Sequence, residues 1–197
     1  MRGEPVAADL AHALAAVVDE VRRVTVQVRT QAATVGAGVL WGRGLVITNG
    51  HVIRGDRADV TLSDGETARA RIVAHDPRRD LAALEFEPWR DGPVAAVRTS
   101  PPLRAGELVL AIGHPGGLVN AATLGIIHGA ESGLERRPAR WIRADVRLAP
   151  GFSGGPLADA TGRLIGINTM MQGGLALAIP AAAVTAWLRR AHTLVEA

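Results

Sequence analysis

The chain has no cysteine, no lysine and no tyrosine, and only two phenylalanines in 197 residues. Without cysteine there is no disulfide and no thiol nucleophile, and the redox compartment stays open. All 22 basic residues are arginine, so little titrates between the α-amino group and the guanidinium range, and the sequence pI near 11.0 overstates a net charge of only +3. Those arginines are scattered and aromatics make up 3% of the chain, so there is neither a basic stripe nor a stacking platform. Nucleic acid is therefore not an expected partner. No apolar run approaches the ~20 residues of a membrane span, and Glu4, Asp9, Asp19 and Glu20 interrupt any leader-like segment in the first 21 residues. The chain as it stands points to the cytoplasm, or to export if a leader has been removed.

What is present is a serine on a glycine-rich turn: Gly151-Phe152-Ser153-Gly154-Gly155-Pro156. Glycine permits positive φ and close backbone approach, so neighbouring N–H groups can converge on one small space beside the hydroxyl. Such a run is common on its own and gains meaning from partners. Thr48-Asn49-Gly50-His51-Val52-Ile53 follows the apolar run Leu45–Ile47, which places His51 at the end of a buried strand. Asp80 stands between the turn Asp76-Pro77-Arg78-Arg79 and the strand-like Leu81-Ala82-Ala83-Leu84. The order His, Asp, Ser is that of the chymotrypsin type and differs from subtilisin and the α/β-hydrolases. Asp76 is the nearest rival for the acid, but its place before a proline fits a turn better. His12, His75, His114, His128 and His192 show no metal-ligand spacing and read as structural or surface residues.

These three blocks resemble those of trypsin-like serine proteases of the HtrA/Deg branch. Ala111-Ile112-Gly113-His114-Pro115-Gly116-Gly117 with Thr123–Ile127, and Leu177-Ala178-Ile179-Pro180, agree with the same branch, so the resemblance runs from about Val24 to about Val184. It implies a serine endopeptidase with His51, Asp80 and Ser153 as the catalytic residues, and no metal or organic cofactor. A serine hydroxyl is a weak nucleophile that needs an adjacent base. Imidazole, with an unperturbed titration near ~6.5, can be that base at neutral pH. The carboxylate would fix its tautomer and stabilise the imidazolium. Backbone N–H groups of Gly151 and Ser153 would form the oxyanion hole, one such donor being worth roughly 3–4 kcal/mol of barrier.

The resemblance also implies that the pocket beside the nucleophile is walled by the segment leading to Ser153 and by the strand near the C-terminus. Arg147, Leu148, Phe152, Met170 and Leu177 are the candidate lining residues. None is acidic, so a Lys or Arg side chain would be buried there without a counter-charge, and cleavage after aliphatic residues is expected. Two departures bear on this. Phe152 stands where Asn or Asp is common, and its ring either packs under the loop or projects into the cleft. Arg147 occupies the primary specificity position of the trypsin branch, and either faces solvent or reaches the pocket and favours acidic residues.

Between a helix with Leu10, Leu14, Val17, Val18 and Val21 on one face and a second from Ala181 to Leu194, short β-branched runs alternate with Gly, Pro and Asp turns. That rhythm predicts an all-β fold of two antiparallel barrels divided near Thr99-Ser100-Pro101-Pro102 with the site between them, and the resemblance implies that they are of the chymotrypsin type. The expected boundaries are about 1–22 for the first helix, 23–100 and 101–180 for the barrels, and 181–195 for the last helix, all in one protease domain. The resembling architecture often continues into PDZ domains and often forms trimers. This length leaves no room for a PDZ domain, and a homo-oligomer is expected by resemblance alone. Protein or peptide substrates are the expected partners. A silent binding or chaperone-like module on the same fold is the alternative, and an esterase-like acyl transferase a third reading disfavoured by the triad order.

Overall fold

Side-chain alternation decides the strands. In β1 (Thr25–Arg29) Val26 and Val28 are fully buried while Arg29 is exposed, the period-2 pattern of a strand with one face on a core. A computed structural model describes residues 4–30, 35–87, 92–130 and 141–195. β2 (Val35–Gly42), β3 (Leu45–Thr48), β4 (Arg57–Thr61), β5 (Thr67–Asp76) and β6 (Leu81–Glu85) join β1 in a closed antiparallel barrel of order β1-β2-β3-β6-β5-β4, sealed where Val28 pairs with Val60. β7 (Leu108–Gly113), β8 (Ala121–Ala130), β9 (Ile142–Asp145), β10 (Pro156–Asp159), β11 (Leu164–Gln172) and β12 (Leu175–Pro180) close a second barrel of order β10-β11-β12-β9-β8-β7, sealed where Leu157 pairs with Ala111. Closure leaves neither sheet with an open edge. The two-barrel fold expected from the sequence is the fold observed, and β10 opens on Pro156, the strand position where proline costs no ladder bond.

Each barrel has its own core. Val26, Leu40, Val46, Val60 and Leu84 fill the first, and Val109, Ile127, Ile142, Leu157 and Phe152 fill the second. A third cluster spans the seam: Val39, Ile47 and Leu81 from the first barrel meet Leu164, Ile167 and Ile179 from the second, roofed by Val184, Trp187 and Leu188 of helix α2 (Ala181–Val195). Helix α1 (Glu4–Arg23) lays Val17, Val18 and Val21 against Leu110, Ile112 and Ala158. It ends where Thr25 donates its hydroxyl to the Val21 carbonyl at 2.8 Å, satisfying one of the acceptors a helix C-terminus leaves open. Arg22 and Arg23 in its last turn complement the helix dipole.

The connection between the barrels is stitched to both. Ala95 N–H donates to Leu40 O at 2.8 Å, Leu164 N–H to Ala96 O at 2.7 Å and Arg98 N–H to Leu164 O at 2.9 Å. The Arg98 guanidinium lies nearly out of solvent between Glu107 (2.6 Å) and Asp159 (3.5 Å). The seam is therefore held by apolar packing and by backbone bonds from the connection to both barrels, while the Arg98 cluster anchors the connection to the second barrel.

Candidate active site

His51 is held from below by its own turn. Strand β3 ends at buried Thr48, whose hydroxyl donates to Ala37 O at 2.7 Å. The single turn Gly50–Val52 then swings the imidazole outward. Asn49 Nδ2 donates to Asp80 O at 3.0 Å, and His75 Nε2 lies 3.2 Å from Gly50 O. So the turn carrying His51 is tied to Asp80 before the two side chains meet.

Asp80 closes the turn after β5 and takes a left-handed backbone, φ 56°, which an aspartate tolerates better than most residues. Its carboxylate accepts three donors: His51 N–H at 2.9 Å, His51 Nδ1 at 2.9 Å and the Thr169 hydroxyl at 2.5 Å. Burial pushes the Asp80 pKa up, but the bonds from His51 and Thr169 outweigh it and hold the group below the ordinary aspartate value. With an ionised acceptor on Nδ1, the neutral imidazole carries its proton there and leaves Nε2 with a free lone pair. Asp76 has other work. Its Oδ1 accepts the N–H groups of Arg78 and Arg79, both at 3.1 Å, and it pairs with the Arg79 guanidinium, so it builds the turn.

Ser153 rides on the loop between β9 and β10. Phe152 N–H donates to Ala149 O at 3.1 Å across Pro150 and Gly151, with Gly151 at φ 108°, the Pro-Gly arrangement of a type II turn. Gly154, φ 86°, passes so close to the first barrel that a Cβ there would overlap the Ala37 carbonyl. Ala37 N–H donates to Ser153 O at 2.8 Å, and Gly154 N–H to Asn168 O at 2.8 Å. The loop is thus gripped by β2 on one side and β11 on the other. Neither Gly151 N–H nor Ser153 N–H donates to an acceptor among the described residues. The Ser153 hydroxyl donates to the Thr169 carbonyl at 2.9 Å, so its single proton is turned away from His51.

Thr169 is the residue that sequence reasoning misses. Its side chain reaches Asp80 and its carbonyl reaches Ser153, so it joins the first-barrel pair to the second-barrel serine. The available signal is a buried Asn168-Thr169 pair interrupting the apolar run of β11, just where the strand bulges. Among the remaining histidines His12 and His128 are exposed and His114 is buried, while the side chain of His192 lies outside the described residues.

A pocket of about 350 Å³ opens beside Ser153, walled by Leu148, Ala149, Pro150, Thr169, Met170 and Met171. Of the candidate lining residues, Leu148 and Met170 stand in this pocket's wall. Phe152 is 2% exposed and points into the second-barrel core beneath the loop, Leu177 is equally buried in β12, and exposed Arg147 does not line the pocket. No acidic side chain lines it.

Residues 36–167 match the trypsin-like peptidase domain, a stretch that holds His51, Asp80 and Ser153 together with strands β3 to β10. The chain belongs to the trypsin-like peptidase family. Among its relatives are serine protease HTRA1 of Xenopus tropicalis, 36% identical over 172 residues, covering 83% of this chain and 37% of that protein. Serine protease HTRA3 of Homo sapiens is 36% identical over 167 residues, covering 78% of this chain and 37% of that protein. In three dimensions it is similar to the serine endoprotease from Yersinia pestis (TM-score 0.80, 31% identity, 89% of this chain and 65% of that one). A second solved relative is the HtrA-type protease AlgW with tripeptide (TM-score 0.80, 32% identity, 89% of this chain and 62% of that one). This HtrA-type peptidase unit spans well under half the length of those two curated relatives.

Proposed function

We propose that the chain is a serine endopeptidase that cuts flexible protein segments through Ser153, His51 and Asp80. The observation carrying this reading is the 2.9 Å bond from His51 Nδ1 to Asp80, with Ser153 joined to the same carboxylate through Thr169. Rotation about the Ser153 Cα–Cβ bond releases the hydroxyl from Thr169 O and aims it at His51 Nε2. As Oγ bonds to the scissile carbonyl carbon, its proton passes to Nε2 and the imidazolium is stabilised by Asp80. The oxyanion is met by the N–H groups of Gly151 and Ser153. His51 then hands that proton to the leaving amine, and a water molecule repeats the sequence on the acyl-enzyme.

The apolar pocket favours an aliphatic side chain before the scissile bond, and the position of Arg147 outside it removes the reason to expect acidic preference. Cleavage of an unfolded protein followed by product sequencing tests this: cuts after Val, Ala, Leu or Ile are expected, and a majority after Lys or Arg would contradict it. The second reading, a binding module with a silent serine, is favoured by one observation, the Ser153 proton engaged on Thr169 O. A chain that binds unfolded protein but never cleaves it would establish that reading instead.

A further inference from the structure

His114 closes β7 at 3% exposure, in a position where an apolar residue would avoid desolvation. Its two polar ends do different things. The peptide N–H donates to Gly151 O at 2.9 Å, and ring Nδ1 accepts Asn120 N–H at 3.2 Å. Ring Nε2 is buried without a hydrogen bond among the described residues. Burial pushes the imidazole pKa down and the Val26 carbonyl only partly offsets it, so the ring is neutral. A neutral ring accepting at Nδ1 carries its proton at Nε2, the opposite tautomer to that of His51.

The chain of bonds continues outward. Asn120 holds a left-handed backbone, φ 56°, and its carbonyl accepts Arg22 Nε of α1 at 3.0 Å. Arg22 is itself paired with Asp19 at 3.0 Å. At the inner end the fit is tight: a Cβ on Gly151 would lie 2.5 Å from His114 O. The peptide of His114 therefore sets where the peptide of Gly151 can be.

We propose that His114 is a positioning residue for the oxyanion site: its ring pins the 115–120 turn to the end of β7, so that its own peptide N–H holds the Gly151 peptide in place beside Ser153, and Arg22 links that hold to α1. This rests on the peptidase reading for its effect on rate, but the coupling itself is a property of the fold.

Two variants separate the acceptor from the volume. His114→Asn places Oδ1 where Nδ1 stands, and His114→Phe fills the ring space without an acceptor. Amide hydrogen exchange at residues 114 and 120 is read alongside fluorophosphonate labelling of Ser153 and kcat and KM on a peptide. In His114→Phe both amides should exchange at least ~10-fold faster, and labelling and kcat should fall about 10-fold with KM within about 2-fold. His114→Asn should restore all of them to within about 3-fold. If His114→Phe fails to fold, Arg22→Ala cuts the chain from the surface and should speed exchange of the same two amides. Exchange unchanged in the folded variant, or Asn behaving no better than Phe, overturns the proposal. A wild type that never labels refutes the peptidase reading alone, because the exchange measurement still decides the coupling.

Discussion

Thr169 donates its hydroxyl to Asp80 across the seam between the barrels, and it does so from the residue whose carbonyl holds the Ser153 proton. One residue thereby fixes both the acid that orients His51 and the resting direction of the nucleophile. Removing the hydroxyl while keeping the shape isolates the first role. Thr169→Val should lower kcat by roughly 10-fold or more, the worth of a hydrogen bond to a charged group, whereas Thr169→Ser should stay close to wild type. Equal loss in both would mean that packing of β11, and not the bond to Asp80, is what matters.

Asp80 and Asp76 lie four positions apart and should respond very differently. Asp80→Asn keeps the volume but permits the wrong imidazole tautomer, so a fall in kcat of roughly 10⁴-fold is expected. Asp76→Asn keeps an oxygen that can accept the two turn amides but loses the charge that pairs with the Arg79 guanidinium. It should cost stability of about 1 kcal/mol with activity nearly intact. The reverse ranking in a kcat assay would reassign the acid.

The cleft is legible from residues alone to the extent that its chemistry is local. His51, Asp80 and Ser153 each sit in a short block whose turn and strand signals can be read side by side. Phe152 is ambiguous in the sequence because a ring next to a nucleophile packs equally well inward or outward, and only the closed second barrel supplies the core that takes it. Thr169 is hidden for a different reason: its partner is 89 residues away and its meaning depends on docking two barrels. In β2 Gly36 and Gly38 have weak strand propensity, yet neighbouring side chains leave no room for larger residues there.

The folded state holds Asp80 below its ordinary pKa, so its contribution to stability is fully present above the unfolded value near ~3.9 and is lost as pH falls through the lower folded value. The difference in unfolding free energy between wild type and Asp80→Asn should be flat above about pH 5 and shrink below about pH 4. Urea titrations at a series of pH values measure this. A difference that grows on acidification would have the wrong sign for an acid stabilised in its charged form.

Arg147 is exposed and stands off the pocket beside Ser153. Arg147→Ala should leave the residue preference before the scissile bond unchanged, with kcat/KM within about 2-fold. Met170→Asp, which sets a carboxylate into the pocket wall, should raise cleavage after Lys or Arg relative to aliphatic residues. Loss of a preference for acidic residues in Arg147→Ala would show that the guanidinium swings into the pocket when substrate binds.

Reaction of Ser153 with a fluorophosphonate is the most direct measurement of whether this cleft works as a peptidase. Covalent labelling requires an aligned base and a usable oxyanion site, and peptide mass spectrometry reports which residue is modified. Wild type should carry a single adduct on Ser153, with none in Ser153→Ala and a rate depressed by several orders of magnitude in His51→Ala. A folded wild type that forms no adduct, or one that labels equally well without His51, would contradict it.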